Sequence, residues 1–178
     1  MWKQFWQTFK TGIVTRDINL ATDQGDVAGL GQELEGKIKR VLGRSAHIRH
    51  VDTGSCNACD WEMTALLNPV YDLQRFGFDF VASPRHADIL LVTGTPTKHL
   101  ATALRKTYEA TPEPKVVIAL GDCACGCGVY KDSYAVYNGI SSIVPVDAYI
   151  LGCPPTPEDI IKGLSKALDR LNKKGGRL

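Results

Sequence analysis

No stretch of roughly 18 or more apolar residues occurs in this chain, so no segment is predicted to cross a bilayer as a helix. A secretory leader is also missing, because Met1–Phe9 is interrupted by Lys3, Gln4 and Gln7. Charge of one sign is scarce: 21 Lys and Arg against 19 Asp and Glu leave a formal net charge of +2. That balance is too mild to imply nucleic acid, and no stripe of aromatic and basic residues argues otherwise. Thr93-Gly94-Thr95 is not a phosphate loop, since no G-K-[ST] follows it. Internal repeats and low-complexity tracts are absent, and His47, His50 and His99 carry no signal of their own. What remains is a chain of 178 residues, 44% hydrophobic and 22% charged, able to bury one sizeable core.

Against that background, six cysteines stand out. With no leader predicted, they are expected in a reducing cytosolic compartment, where clustered cysteines bind metal more often than they form disulfides. Cys56 and Cys59 make a C-x-x-C pair, Cys123, Cys125 and Cys127 alternate in the Gly-rich stretch Gly121–Gly128, and Cys153 precedes Pro154-Pro155. Four thiolates suit either zinc or an iron–sulfur cluster. Structural zinc usually takes two close pairs, whereas here one pair is joined by single cysteines from separate loops, an arrangement that favours a bulkier [4Fe–4S] cubane. Spacing leaves the donor from the middle loop open: Cys123, or Cys125 or Cys127 in its place, with the others as small buried hydrophobes.

The rest of the chain supplies a frame. Trp2, Phe5, Trp6, Phe9 and Ile13 recur at helical spacing, which predicts an interfacial or subunit-docking helix, or one packed on its own domain. Residues 15–31 read as a linker or extended arm, and Gln32–Leu42 as a short helix. Strands are predicted over Ala46–Val51, Phe78–Val81, Ile89–Val92, Val116–Leu120 and Val146–Ile150, with helices over Asp60–Leu67 and Leu100–Glu109. Thr156 as N-cap, Pro157 as first residue and the stripe Ile160, Ile161, Leu164, Ala167, Leu168 and Leu171 mark a final helix. Strands alternating with helices predict an α/β fold: an open, mainly parallel, flavodoxin-like sheet with helices on both faces, plus an extended N-terminal arm. Two parts are expected, an arm over 1–45 and an α/β cluster domain over 46–178. Every candidate ligand then lies just past a strand's carboxyl end, where open α/β sheets bind ligands.

Gly54–Glu62, Ser83–Gly94, Pro112–Lys115, Ile143–Asp147 and Gly152–Pro155 together resemble the small, cluster-bearing subunit shared by membrane-bound group 4 [NiFe] hydrogenases and respiratory complex I. The similarity runs in order from about His47 to Leu171 and leaves the first 45 residues uncovered. The complex I counterpart has adjacent cysteines where this chain has C-x-x-C, which points to the hydrogenase side. The resemblance implies one proximal [4Fe–4S] cluster on Cys56, Cys59, Cys123 and Cys153. It further implies electron transfer from ferredoxin-like iron–sulfur subunits to the nickel–iron centre of a [NiFe] hydrogenase large subunit, for H2 evolution or oxidation. A membrane subunit would contact the N-terminal helix, placing the chain at the cytoplasmic side of the cell membrane. The alternatives are the matching small subunit of a complex I-like quinone or sulfur-compound oxidoreductase, and a zinc-stabilised scaffold without catalytic function.

Asp60 and Glu62, beside the C-x-x-C pair, are candidates for a proton relay, or else ordinary first-turn helix charges. Arg85 and His86 either face a partner's active-site chamber, as the matching segment does in complex I, or cap a turn and meet solvent.

Overall fold

The computed structural model describes Trp2, Trp6, Lys10 and residues 20–175. Five strands form one sheet: β1 (Ala46–Asp52), β2 (Phe78–Phe80), β3 (Ile89–Thr93), β4 (Val116–Leu120) and β5 (Ala148–Ile150). Their order is β2-β1-β3-β4-β5, and every pairing is parallel. This is the flavodoxin-like order, in which the chain reverses its direction of travel between β1 and β3. The helices are α1 (Leu20–Val41), α2 (Ala58–Ala65), α3 (Ala101–Ala110), the short α4 (Asp122–Gly126) and α5 (Pro157–Gly175).

Strand alternation divides the core in two, because successive side chains point to opposite faces. Ile89, Leu91, Val116, Ile118 and Leu120 pack on one face with Leu34 and Ile38 of α1, Met63 of α2 and the apolar stripe of α5. Leu90, Val92, Val117 and Ala119 pack on the other with Leu104 of α3, Ile140 and Val144. Covered on both sides, β3 and β4 are buried at every position, as their continuous aliphatic runs predict. The predicted start of α5 also holds. Thr156 Oγ1 accepts from Asp159 N at 3.2 Å, and Asp159 Oδ2 accepts from Thr156 Oγ1 at 2.7 Å, a reciprocal cap of the first turn.

The N-terminal expectation needs correction. Residues 20–31, expected as linker or arm, belong to the 22-residue helix α1, which also absorbs the short helix expected over Gln32–Leu42. Glycines weaken a helix, yet one of those here serves packing. A Cβ on Gly31 would fall 2.1 Å from the ring of Phe76, so glycine is what lets α1 close on the 3₁₀ turn Leu73–Phe76. Burial of Leu34 and Ile38 in the sheet's core then outweighs weak helix propensity. Trp2, Trp6 and Lys10 are helical and exposed, while Phe5, Phe9 and Ile13 of the predicted stripe lie outside the described residues.

Candidate metal centre

The site is assembled at the carboxyl edge of the sheet, from the loops that follow β1, β3, β4 and β5. After β1, Asp52 Oδ1 accepts from Gly54 N at 2.7 Å and Ser55 N at 2.8 Å, turning the chain toward Cys56. Asn57 takes a left-handed conformation (φ 68°) and α2 starts at Ala58, two residues earlier than predicted, so Cys59 lies in its first turn. The loop after β3 is stapled to this one: Thr53 N donates to Thr93 O at 3.0 Å, Thr95 N to Gly54 O at 3.2 Å, and Thr97 N to Thr53 O at 3.0 Å.

The loops after β4 and β5 clasp each other. Asp122 N donates to Gly152 O and Gly152 N donates to Asp122 Oδ1, both at 2.9 Å, which sets Cys123 and Cys153 in register. Cys56, Cys59, Cys123 and Cys153 all line one recess, together with Ser55, Gly94, Asp122, Gly152 and Pro154. Cys56 and Cys153 are exposed at its mouth, whereas Cys59 and Cys123 are half-buried in its wall.

The other two cysteines turn elsewhere. Cys125 Sγ points to Ala119 O (3.6 Å) and Ile150 O (3.9 Å) and packs against the second core cluster. Burial, helped by the Asp122 charge, pushes its thiol up to about 11. Cys127 is fully buried; its sulfur donates to Tyr137 O and accepts from Gly139 N at 3.2 Å. Both behave as small core side chains.

Electrostatics sets what the recess can hold. Burial pushes the Cys59 thiol up to about 12, with Asp60 and then the other three cysteines adding to the effect. Cys123 is also raised, first by burial, and is raised further by Cys153, Cys56 and Asp122; the Thr95 hydroxyl opposes the shift. Four thiolates gathered here would repel one another, and a metal cation among them is what would let them coexist. A single zinc with Zn–S bonds of about 2.3 Å would need the sulfurs closed tightly around one point. Among the described residues, no three His, Cys, Asp or Glu side chains converge that closely. Four cysteine sulfurs lining one recess are a donor set that suits an iron–sulfur cluster.

With Cys59 held as a thiol, its alkylation by iodoacetamide in the metal-free chain is expected to climb about tenfold per pH unit between about pH 8 and pH 10. A rate that levels off below about pH 9, followed by mass spectrometry of the Cys59 peptide, would contradict this environment.

Sequence reasoning missed one residue. His50 carries no signal in the sequence, yet its Nε2 lies 3.0 Å from Asp60 Oδ1 and 2.8 Å from Thr93 Oγ1. Asp60 also accepts from Ser55 Oγ at 2.5 Å and Thr93 Oγ1 at 3.0 Å. Burial lowers the His50 pKa against the pull of Asp60 and Asp52. No local pattern could have paired a β1 histidine with a helix carboxylate ten residues on. Glu62 is half-buried on α2 and joins none of these bonds. Arg85 and His86 sit in a 3₁₀ turn before β3, capped by Ser83 Oγ, at the far end of that strand from Thr95. They do not join the cysteine recess.

The chain resembles known proteins along most of this frame. A family model described as NADH ubiquinone oxidoreductase, 20 Kd subunit, matches residues 56–167. The probable membrane-bound hydrogenase subunit mbhJ of Pyrococcus furiosus is 46% identical over 80% of this chain and 87% of its own length. Formate hydrogenlyase subunit 7 of Escherichia coli is 43% identical over 83% of this chain and 56% of that protein. Among solved structures, a chain of the membrane-bound sulfane sulfur reductase, an archaeal respiratory membrane complex, superimposes with a TM-score of 0.65 at 34% identity, covering 79% of this chain and 77% of that one. A chain of the [NiFeSe] hydrogenase from Desulfovibrio vulgaris Hildenborough shares the fold, with a TM-score of 0.51 at 16% identity over 76% of this chain and 63% of that one. With four cysteines gathered at the carboxyl edge of a parallel sheet, and with these relatives, the chain belongs to the NADH ubiquinone oxidoreductase 20 kDa subunit family.

Proposed function

We propose that this chain is the electron-transfer subunit of a membrane-bound, multisubunit [NiFe] hydrogenase, holding one proximal [4Fe–4S] cluster on Cys56, Cys59, Cys123 and Cys153. The observation that carries the reading is the convergence of those four side chains, from three loops, on one recess. Bound there, the cluster supplies a one-electron relay between ferredoxin-like subunits and the nickel–iron centre of a large subunit, where H2 is made or consumed.

The chain's own residues prepare that exchange. Cys56 and Cys153 bring the site to the surface, which keeps the distance to a docked partner short. Trp61, Leu151 and Tyr130 are all exposed, and Tyr130 lines the hollow that Cys56 and Cys123 share. Exposed apolar side chains of this size are costly in water, and a partner subunit covering the Tyr130 side would shield the site from solvent. Asp60, bonded to Ser55 and Thr93 and facing His50, and Glu62 on the same helix remain our candidates for a proton relay beside Cys59. At the other end of the chain, Trp2 and Trp6 are exposed four residues apart on one helical face, suited to a membrane subunit. No helix among the described residues is long and apolar enough to cross a membrane. The attachment we propose is peripheral, through that face, at the cytoplasmic side.

A second reading, a complex I-like subunit serving sulfur-compound or quinone reduction, is favoured by the 34% identity to the sulfane sulfur reductase chain. Metal analysis of the complex purified without oxygen separates the readings. Nickel together with iron is the expected result; iron without nickel would transfer the chain to the second reading, and zinc alone would overturn both.

A further inference from the structure

The loops around the recess carry four threonines, and three of their hydroxyls are satisfied. Thr53 Oγ1 donates to Thr93 O at 2.7 Å, Thr97 Oγ1 donates to Thr53 O at 3.1 Å, and Thr93 Oγ1 donates to Asp60 Oδ1 at 3.0 Å. Thr95 differs. It is 4% exposed, and its Oγ1 is buried without a partner in hydrogen-bonding geometry. A hydroxyl withdrawn from water and left unpaired is costly, and native proteins rarely tolerate one without a reason. Its backbone leaves it little room to escape, since Thr95 N is bonded to Gly54 O and the loop is stapled on both sides.

The surroundings supply the reason. Thr95 lines a hollow with Cys56 and Cys123, the neighbours being Gly54, Ser55 and Thr97. It shares this hollow with the Cys123 sulfur, yet its hydroxyl makes no full hydrogen bond there. A neutral thiol is a weak acceptor and gives the hydroxyl little cause to align. A metal-bound thiolate is an anion and a much stronger one. The orphaned donor is therefore matched to the loaded state of the site.

We infer that Thr95 donates an O–H···S hydrogen bond to the Cys123 thiolate of the loaded site and thereby raises its reduction potential. This rests on the iron–sulfur reading above. The sign follows from charge: one-electron reduction adds negative charge to the group and its sulfurs, so a donor aimed at one of them stabilises the reduced form more than the oxidised form. Thr95 touches a ligand rather than the iron, and so it is a positioning residue. Ser55, Thr93 and Thr97 are engaged elsewhere and do not substitute for it.

The test is a redox titration of the intact complex followed by EPR. Thr95→Val keeps the shape of the side chain and removes the donor; its midpoint potential is expected to fall by about 59 mV, a tenfold loss in the one-electron reduction constant. Thr95→Ser keeps the donor and is expected to stay near the parent. Deuterium exchange adds a second readout: the reduced parent in D2O carries an exchangeable deuteron coupled to the electron spin, and Thr95→Val lacks it. Where Thr95→Val assembles poorly, Thr95→Ala removes the same donor and is compared with Thr95→Ser in its place. An unchanged potential in the donorless variants, or an equal shift in Thr95→Ser, overturns the inference while leaving the cluster intact. A parent complex without iron would instead sink the reading it rests on.

Discussion

Gly121→Ala is expected to abolish cluster assembly while leaving the helix content of the protein unchanged. Gly121 lies between the end of β4 and Cys123, with φ 90° and ψ 156°, a region of backbone space that is essentially reserved for glycine. A Cβ there would stand 2.6 Å from Cys59 Sγ, well inside van der Waals contact, so the added methyl takes space that the Cys59 sulfur now occupies. Neither side can retreat cheaply. Gly121 N is bonded to Ile150 O at 2.8 Å, which ties it to β5, and Cys59 is fixed by the first turn of α2. The backbone strain is about 1–3 kcal/mol, tolerable for a core of this size, but the displacement falls on a sulfur whose position defines the site. Iron and acid-labile sulfide are expected to drop from about four per chain toward zero, with far-UV circular dichroism as the control for folding. Full iron occupancy in this variant would mean that Cys59 is not a ligand.

The second large effect separates the three cysteines of the Gly121–Gly128 stretch. Cys123→Ala is expected to lose the iron, whereas Cys125→Ala and Cys127→Ala keep it. Removing the Cys125 thiol vacates a position in the core next to Ala119 and Ile150, away from the recess. Removing the Cys127 thiol costs its bonds to Tyr137 O and Gly139 N, which stay bonded to each other at 2.9 Å, and should lower stability by about 1 kcal/mol while the brown colour stays. Iron retained in Cys123→Ala but lost in Cys125→Ala would move the proposed ligand two residues along the chain.

That stretch also shows where local reading ends. An alternating C-x-C-x-C spacing places no cysteine ahead of the others. In the structure, Asp122–Gly126 forms a single helical turn, and residues two apart on a helix point to nearly opposite sides. Cys123 therefore meets the recess, Cys125 faces the core, and Cys127 follows the helix in a left-handed conformation that buries its sulfur. The turn exists because Asp122 is clasped to Gly152, 30 residues away, which no window of sequence contains.

Periodicity and composition were enough for the strand and helix alternation, the buried runs of β3 and β4, the capped start of α5, and the placing of every candidate cysteine after a strand. Those features depend on neighbours along the chain: a two-residue pleat, a 3.6-residue turn, a cap and its helix. The fate of residues 20–31, the pairing of His50 with Asp60, the orphaned hydroxyl of Thr95 and the directions in which Cys123, Cys125 and Cys127 point had to wait for the folded molecule. Each is set by a contact between segments far apart in sequence, such as Gly31 against Phe76 or Thr95 beside Cys123, and only packing brings such segments within reach.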